Sequence, residues 1–231
     1  MTPATNGVMT MRCKNPCRRI DPDTWNRREH YEVFSRQSYP YIGVTVSVDV
    51  ERLVVACREA GTRFSNAFMY AALRALNSVE NLRYRIVDGE VVLCERVDPS
   101  FNVWHAENEL FYFAYADYHR HFALFDAEVE EAKKQALTTR SLNNENGDRA
   151  DVVFVSSLPW FAFSDIIQPM GLTPDDAIPR LLWGRHSVGD GKGSMPFSLT
   201  GHHGLFDGWH VAKMLAEMER LLNDPSFLAE G

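Results

Sequence analysis

Cysteine is scarce in this sequence: 231 residues contain only four, Cys13, Cys17, Cys57 and Cys94. Four cysteines do not form the disulfide framework that stabilises small secreted domains, because a chain of this length can bury an adequate core. The spacing of Cys13 and Cys17 would suit a metal, but no second pair follows at the spacing typical of zinc sites. We therefore favour free thiols in an N-terminal arm and predict no metal site.

Long apolar runs and an excess of positive charge are also missing. No segment approaches the length of a membrane span, and the first 19 residues lack the apolar segment of a signal peptide. The formal net charge is −7, from 24 Lys and Arg against 31 Asp and Glu. This balance argues against nucleic acid or an anionic membrane as the main partner. We expect a soluble, cytoplasmic protein.

The residues that are abundant predict one globular domain. Hydrophobic residues make up 45% of the chain and aromatic residues 12%, which is enough for a sizeable core. No repeat or low-complexity linker divides the chain. We predict an N-terminal extension over residues 1–20 and a single domain over residues 21–231.

The pattern of elements predicts an α/β fold. A helix is expected to begin at Asp23 or Thr24, and a final helix, with its apolar residues on one face, is expected over residues 207–223. Residues 88–89 and 189–191 supply turns between apolar strands, which predicts two hairpins. These elements fit a two-layer sandwich in which helices pack on a mostly antiparallel mixed sheet.

The stretch GHHGLFDGWH, residues 201–210, carries the strongest chemical signal. One of its adjacent histidines, His202 or His203, could be a packed core residue, and Asp207 could be only a helix cap. Adjacent histidines suit metal chelation poorly, and the sequence has no HExxH motif. The joint pattern H-H-x-x-x-D-G is much rarer than its parts and lies where a strand meets a helix. This placement favours a functional site.

The same stretch resembles the active-site signature of the chloramphenicol acetyltransferases. Condensation domains of peptide synthetases and dihydrolipoyl transacylases carry related motifs, but the former need two such lobes and the latter add lipoyl segments. The compact acetyltransferase therefore fits this chain best. The segments WNRREHYEVF, RYRIVDGEVVLCERVDPSFNVWH and VSSLPWFAF resemble further parts of that family, in the family's order.

The resemblance implies a role for four residues. His203 would be the general base that accepts the proton of an acceptor hydroxyl, since a neutral imidazole is available near neutral pH. Ser156 would donate its hydroxyl to the tetrahedral oxyanion. Asp207 and Arg27 would form a buried ion pair, with two parallel hydrogen bonds, that braces the loop carrying His203. No cysteine or serine lies in a nucleophile motif, so we expect direct attack on the thioester without an acyl-enzyme.

The resemblance also implies the binding residues. Arg63 and Arg185 stand where the family tends to carry lysine, and they would contact the phosphates of CoA. Phe34, Phe111 and Leu182 would line the acceptor pocket. Phe34 and Leu182 replace a tyrosine and a threonine of the family, so two hydroxyls are lost on the acceptor side.

Three functions follow as hypotheses. The first is an acetyl-CoA-dependent O-acetyltransferase with chloramphenicol as acceptor and no permanently bound cofactor. The second keeps the chemistry but takes another alcohol or an amine, and the third is a non-catalytic CoA-binding protein. Family members are trimers with each site at a subunit interface, so the resemblance implies a homotrimer.

Overall fold

The computed structural model describes residues 11–142, 146–171, 176–189 and 192–230. Its α-helices, labelled α1 to α5, are Arg28–Phe34, Glu51–Ala60, Phe64–Ser78, Phe122–Thr139 and Gly208–Asn223. Its strands, labelled β1 to β10, are Cys17–Arg19, Tyr41–Asp49, Tyr84–Val87, Glu90–Cys94, Asp98–His105, Leu110–Tyr115, Val152–Leu158, Arg180–Gly184, Ser187–Gly189 and Lys192–His202. None of the helices in the described ranges is long and apolar enough to cross a membrane.

Two sheets organise the strands, and the predicted α/β class with a mixed sheet is confirmed. The large sheet has the order β2-β10-β8-β7-β5-β6, with β9 paired to β10. Only the β5–β7 and β7–β8 pairs are parallel; the other neighbours are antiparallel. A second sheet, β1-β4-β3, was not expected as a separate unit.

The core lies between the helices and one face of the large sheet. On β7, Val153 and Val155 are buried, whereas Phe154 and Ser156 alternate with them and are half-buried. On the helix side of this core, Phe68 of the buried helix α3 packs against Trp183 and Phe197 of the sheet. The ring centroids are 5.0 and 6.0 Å apart, respectively. Because side chains alternate along a strand, the face that bears Ser156 is turned away from the helices. That face is free to form a site.

The predicted hairpin at residues 88–89 is present between β3 and β4. Asp88 and Gly89 both have positive φ, 52° and 78°, as a tight two-residue turn with matching strand twist requires. The second predicted turn runs through Gly189-Asp190-Gly191, of which residues 190 and 191 lie outside the described ranges. The strands on either side of it, β9 and β10, do pair.

The first helix begins later than predicted, at Arg28, with Arg27 rather than Asp23 or Thr24 at its N-cap. Asp21 forms a local turn instead: its carboxylate accepts from the Asp23 amide at 3.0 Å, and its carbonyl accepts from the Thr24 amide at 3.3 Å. The side chain of Arg27 is buried against a distant loop. This tertiary contact fixes the entry into α1.

Residues 12–20 pack against the domain and are not an extension. β1 pairs antiparallel with β4, with Cys17 opposite Cys94, and these two cysteines form a disulfide. The Asn15 amide donates to Asp151 at 2.6 Å, within a buried cluster that includes Arg149. The prediction of free thiols in a loose arm is therefore wrong for Cys17, although Cys13 is free.

Candidate active site

His203 lies in the tight turn between β10 and α5 and is partly exposed. Its Nδ1 is 3.1 Å from the carbonyl oxygen of Phe206. A carbonyl can only accept a hydrogen bond, so Nδ1 carries the proton and Nε2 keeps its lone pair. The Phe34 ring lies against the imidazole with a centroid separation of 4.0 Å and so limits its rotation. The ring is thus held in the tautomer that a general base needs.

Arg27 forms hydrogen bonds with the backbone of this turn. Its guanidinium is buried and donates to the carbonyls of His203 and Gly204, both at 3.1 Å, and to Asp207 Oδ2 at 2.8 Å. The contact with Asp207 is thus a single hydrogen bond, not the parallel pair expected, because the other donors hold carbonyls. Arg27 therefore positions the main chain on both sides of His203.

Asp207 caps helix α5 and also faces Arg27. Its Oδ1 accepts from the Trp209 amide at 3.0 Å and lies 2.8 Å from His210 Nδ1. Burial alone would raise the pKa of this carboxyl, but the hydrogen bond from Arg27 and the charge of His210 lower it to about 2. With its oxygens directed at Arg27, His210 and the helix amides, Asp207 is not the third member of a Ser-His-Asp triad.

His202, in contrast, is a fully buried residue. Its Nδ1 accepts from the Gly204 amide at 3.1 Å, so the proton lies on Nε2. Burial lowers the pKa of His202 to about 4, although Asp176 acts in the opposite direction. His202 is therefore neutral at physiological pH. A Cβ on Gly204 would lie 3.0 Å from the His202 ring and from the Tyr31 Cα, so the turn packs closely at that position.

Ser156 lies on the open face of the large sheet. Its Oγ is 2.9 Å from Asn102 Nδ2 on the neighbouring strand β5. An amide nitrogen can only donate, so Oγ is the acceptor in this contact and its own proton is free for another partner. This arrangement suits a serine that must donate a hydrogen bond to an oxyanion.

Two adjoining cavities, of about 430 and 500 Å³, lie beside Ser156. Phe111 lines both of them, and Leu182 lines the larger one. Trp104 and Trp160 form part of its wall, with their rings in edge contact at 5.2 Å. Volumes of this size and an aromatic lining with few polar groups are typical of small-molecule sites.

The two halves of the expected site lie apart within one chain. In the large sheet, Ser156 pairs with Leu182 on β8, and Leu182 pairs with Ser198 on β10. His203 lies five residues after Ser198 along the chain. Two strand spacings and five residues of rise separate the two side chains by about 15 to 20 Å. Phe34 lies with His203, whereas Phe111 and Leu182 lie with Ser156.

Arg63 and Arg185 lie in the same region of the molecule, although they are distant in sequence. Arg63 directly precedes Phe64 and Arg185 directly precedes His186. The ring centroids of Phe64 and His186 are 5.6 Å apart. Both side chains are exposed, and Arg63 forms a 3.1 Å surface ion pair with Glu130. A small cavity links this region to the strand that carries Ser156, because Ser65 and Ser156 both line it.

Sequence reasoning missed Asn102, Gln168 and Arg180, which line the smaller Ser156 cavity. Asn102 had a detectable signal, because it alternates with buried Phe101 and Val103 on a predicted strand. Gln168 lies in a segment without secondary structure and had no signal. The Arg180 guanidinium is fixed by a bidentate pair with Asp176 and lies 5.2 Å from the Phe154 ring.

The chain is similar to known chloramphenicol acetyltransferases in sequence and in structure. The family model described as chloramphenicol acetyltransferase matches residues 16–219. A chloramphenicol acetyltransferase from Streptomyces acrimycini is 28% identical over 210 residues, which cover 90% of this chain and 96% of that protein. One from Klebsiella sp is 25% identical over 205 residues, covering 89% and 93%. A solved chloramphenicol acetyltransferase structure superposes with a TM-score of 0.79 at 25% identity, covering 90% of this chain and all of that one.

Proposed function

Since the chain belongs to the chloramphenicol acetyltransferase family, we propose that it transfers the acetyl group of acetyl-CoA to a hydroxyl of a small acceptor, with chloramphenicol the first candidate. The observation that carries the proposal is the tautomer of His203: Nδ1 is committed to the Phe206 carbonyl, and Nε2 is left as a base. Acetyl-CoA is a co-substrate and is not permanently bound. The cytoplasm, where acetyl-CoA is available, is the proposed place of action.

The reaction needs no covalent enzyme intermediate. The acceptor oxygen attacks the thioester carbonyl while its proton passes to His203 Nε2. The resulting oxyanion receives a hydrogen bond from the Ser156 hydroxyl, a contact worth about 3 kcal/mol for other oxyanion donors. Collapse of the tetrahedral intermediate breaks the carbon–sulfur bond, and the CoA thiolate takes the proton from the imidazolium. His203 is then neutral again.

A second copy of the chain completes the site. His203 and Ser156 lie too far apart within one chain to serve the same reacting group, and the Ser156 cavities already contain the apolar wall for an acceptor. We infer a homotrimer in which His203 of one protomer faces the Ser156 cavity of its neighbour. The acetyltransferase domain, predicted over residues 21–231, then also includes residues 12–20, because these residues pair with β4.

The CoA phosphates are assigned to Arg63 and Arg185. These exposed arginines are near each other, and the small cavity beside Ser65 leads from them toward Ser156. Arginine binds phosphate with several donors in a fixed fork, so two of them can hold the anionic end of CoA while its thioester reaches the sheet.

A second candidate acceptor class is another alcohol or an amine. Phe34 contacts His203 and Leu182 lines the larger cavity, and neither brings a hydroxyl to the acceptor. An acceptor that needs no hydrogen bond at these two points fits the pocket better than one that does.

The test is release of CoA thiol from acetyl-CoA, followed with a disulfide dye across a panel of chloramphenicol, other alcohols and amines. We expect acceptor-dependent release that is lost in His203→Ala but kept in His30→Ala, a control that removes an exposed histidine of α1. If no acceptor in the panel increases thiol release by the wild type, transfer is refuted. Full activity of His203→Ala would refute the assigned base. High efficiency on chloramphenicol would dismiss the second acceptor class.

A further inference from the structure

Three cysteines meet at the junction of the small sheet and the N-terminal segment, away from the proposed acetyl-transfer site. Cys13 precedes β1, Cys17 lies on β1, and Cys94 lies opposite Cys17 on β4. Their three sulfur atoms lie within 4.8 Å of one another. The disulfide between Cys17 and Cys94 accounts for two of these atoms, and the Cys13 thiol is the third. A structural cross-link needs only two sulfurs, so the third one needs an explanation.

Two arginines, Arg83 and Arg85, lie near this cluster. Arg85 is fully buried, and its guanidinium donates to main-chain carbonyls, among them those of Ala150 and Val152. Burial lowers the pKa of Arg85 to about 9, while the nearby Asp151 and Cys13 favour its charged form. Arg83 donates to the carbonyl of Cys94 itself at 2.7 Å. One guanidinium thus binds the main chain of Cys94, and the other lies close enough to Cys13 for their charges to interact.

We propose that Cys13, Cys17 and Cys94 form a three-thiol site for a thiophilic divalent cation, with Zn²⁺ the representative, once the disulfide is reduced. Reduction by a thiol or phosphine supplies two electrons, breaks the Cys17–Cys94 bond and produces two thiols. The cation then replaces the protons of the three thiols, and these protons are released to solvent. Sulfur ligands in this number are typical of Zn²⁺ and related soft cations.

The charges of such a site balance in this environment. Three thiolates and one divalent cation have a net charge of −1, and the nearby ionised groups, Arg83, Arg85 and Arg149 against Asp98 and Asp151, sum to +1. Cys13 is a free thiol, and the cation would displace its proton on binding. The site would tie residues 13–17 to the β3–β4 hairpin in a reducing compartment, as the disulfide does in an oxidising one.

The experiment uses the full chain, reduced with a phosphine, freed of metal with a chelator and titrated with Co²⁺ as a spectroscopic probe and then with Zn²⁺. Thiolate-to-cobalt charge-transfer absorption reports sulfur ligation independently of acetyl transfer. The test variant is Cys13→Ser, which leaves Cys17 and Cys94 in place. The matched control is Cys57→Ser, which also removes a free thiol but lies in α2, outside the cluster.

We expect one Co²⁺ per chain in reduced wild type and in Cys57→Ser, displacement of Co²⁺ by Zn²⁺, and a rise in Tm with Zn²⁺. Binding should weaken at least about tenfold in Cys13→Ser and vanish in the oxidised wild type. No charge-transfer band in the reduced wild type would overturn the proposal. So would equal binding by a folded Cys13→Ser variant or by the oxidised protein.

Discussion

Replacing Arg27 tests whether one buried guanidinium holds the catalytic loop. Arg27→Ala removes the donors to two main-chain carbonyls and to Asp207. Each buried acceptor left without a partner costs about 1 kcal/mol or more, and loss of one member of a buried ion pair costs about 3 to 5 kcal/mol. The Asp207 side chain is 32% exposed, so water recovers part of this cost. We expect a loss of about 3 kcal/mol in the free energy of unfolding.

The same substitution should slow catalysis, because the His203 carbonyl is one of the lost acceptors. A displacement of the imidazole by about 1 Å is enough to lower kcat on the order of a hundredfold. Urea unfolding at fixed protein concentration gives the stability, and thiol release under native conditions gives kcat. Arg28→Ala is the matched control, since Arg28 is the exposed neighbour and its surface pairs contribute little to stability. An Arg27→Ala enzyme as stable and as fast as Arg28→Ala would refute the reasoning.

Three further predictions follow from the site. The folded pKa of His202, about 4, lies below its unfolded value near 6.5, so the unfolded state takes up the proton first. Stability should therefore fall by about 3 kcal/mol as pH drops from 6.5 to 4, and urea midpoints for His202→Gln should lack this slope. Asn102→Ala should lower kcat about tenfold with unchanged KM for acetyl-CoA, because Ser156 loses the donor that orients it; unchanged kcat would count against this role. Arg63→Ala and Arg185→Ala should each raise KM for acetyl-CoA about threefold to tenfold, but not KM for an acetyl thioester without phosphates; equal effects on both substrates would exclude phosphate binding.

Local sequence signals predicted the elements whose hydrogen bonds are local. The hairpin turn at Asp88 and Gly89 was predictable because positive φ at two adjacent residues demands such a pair. The N-cap of α5 was predictable because Asp207 precedes an amphipathic run, and its side chain does accept from Trp209. The α/β class followed from the alternation of such elements along the chain.

Long-range contacts explain what the sequence left undetermined. The start of α1 was misplaced because Arg27 bonds to residues that are more than 170 positions away, and no local pattern encodes this. The sequence predicts a free thiol at Cys17 because its partner, Cys94, is 77 positions away on another strand. Ser156 is ordinary in its local sequence; its contact with Asn102 on the neighbouring strand and its place beside the smaller cavity distinguish it from Ser157, and both come from the tertiary structure.

Mixed oligomers test the central claim, that His203 and Ser156 of one site come from different protomers. His203→Ala and Ser156→Ala are each expected to be inactive alone, and the two chains are then unfolded together, refolded and shown to form mixed trimers. If neighbouring protomers share each site, about one quarter of the sites regain both groups, and a similar share of wild-type activity returns. Mixed trimers as inactive as the two parents would contradict the claim.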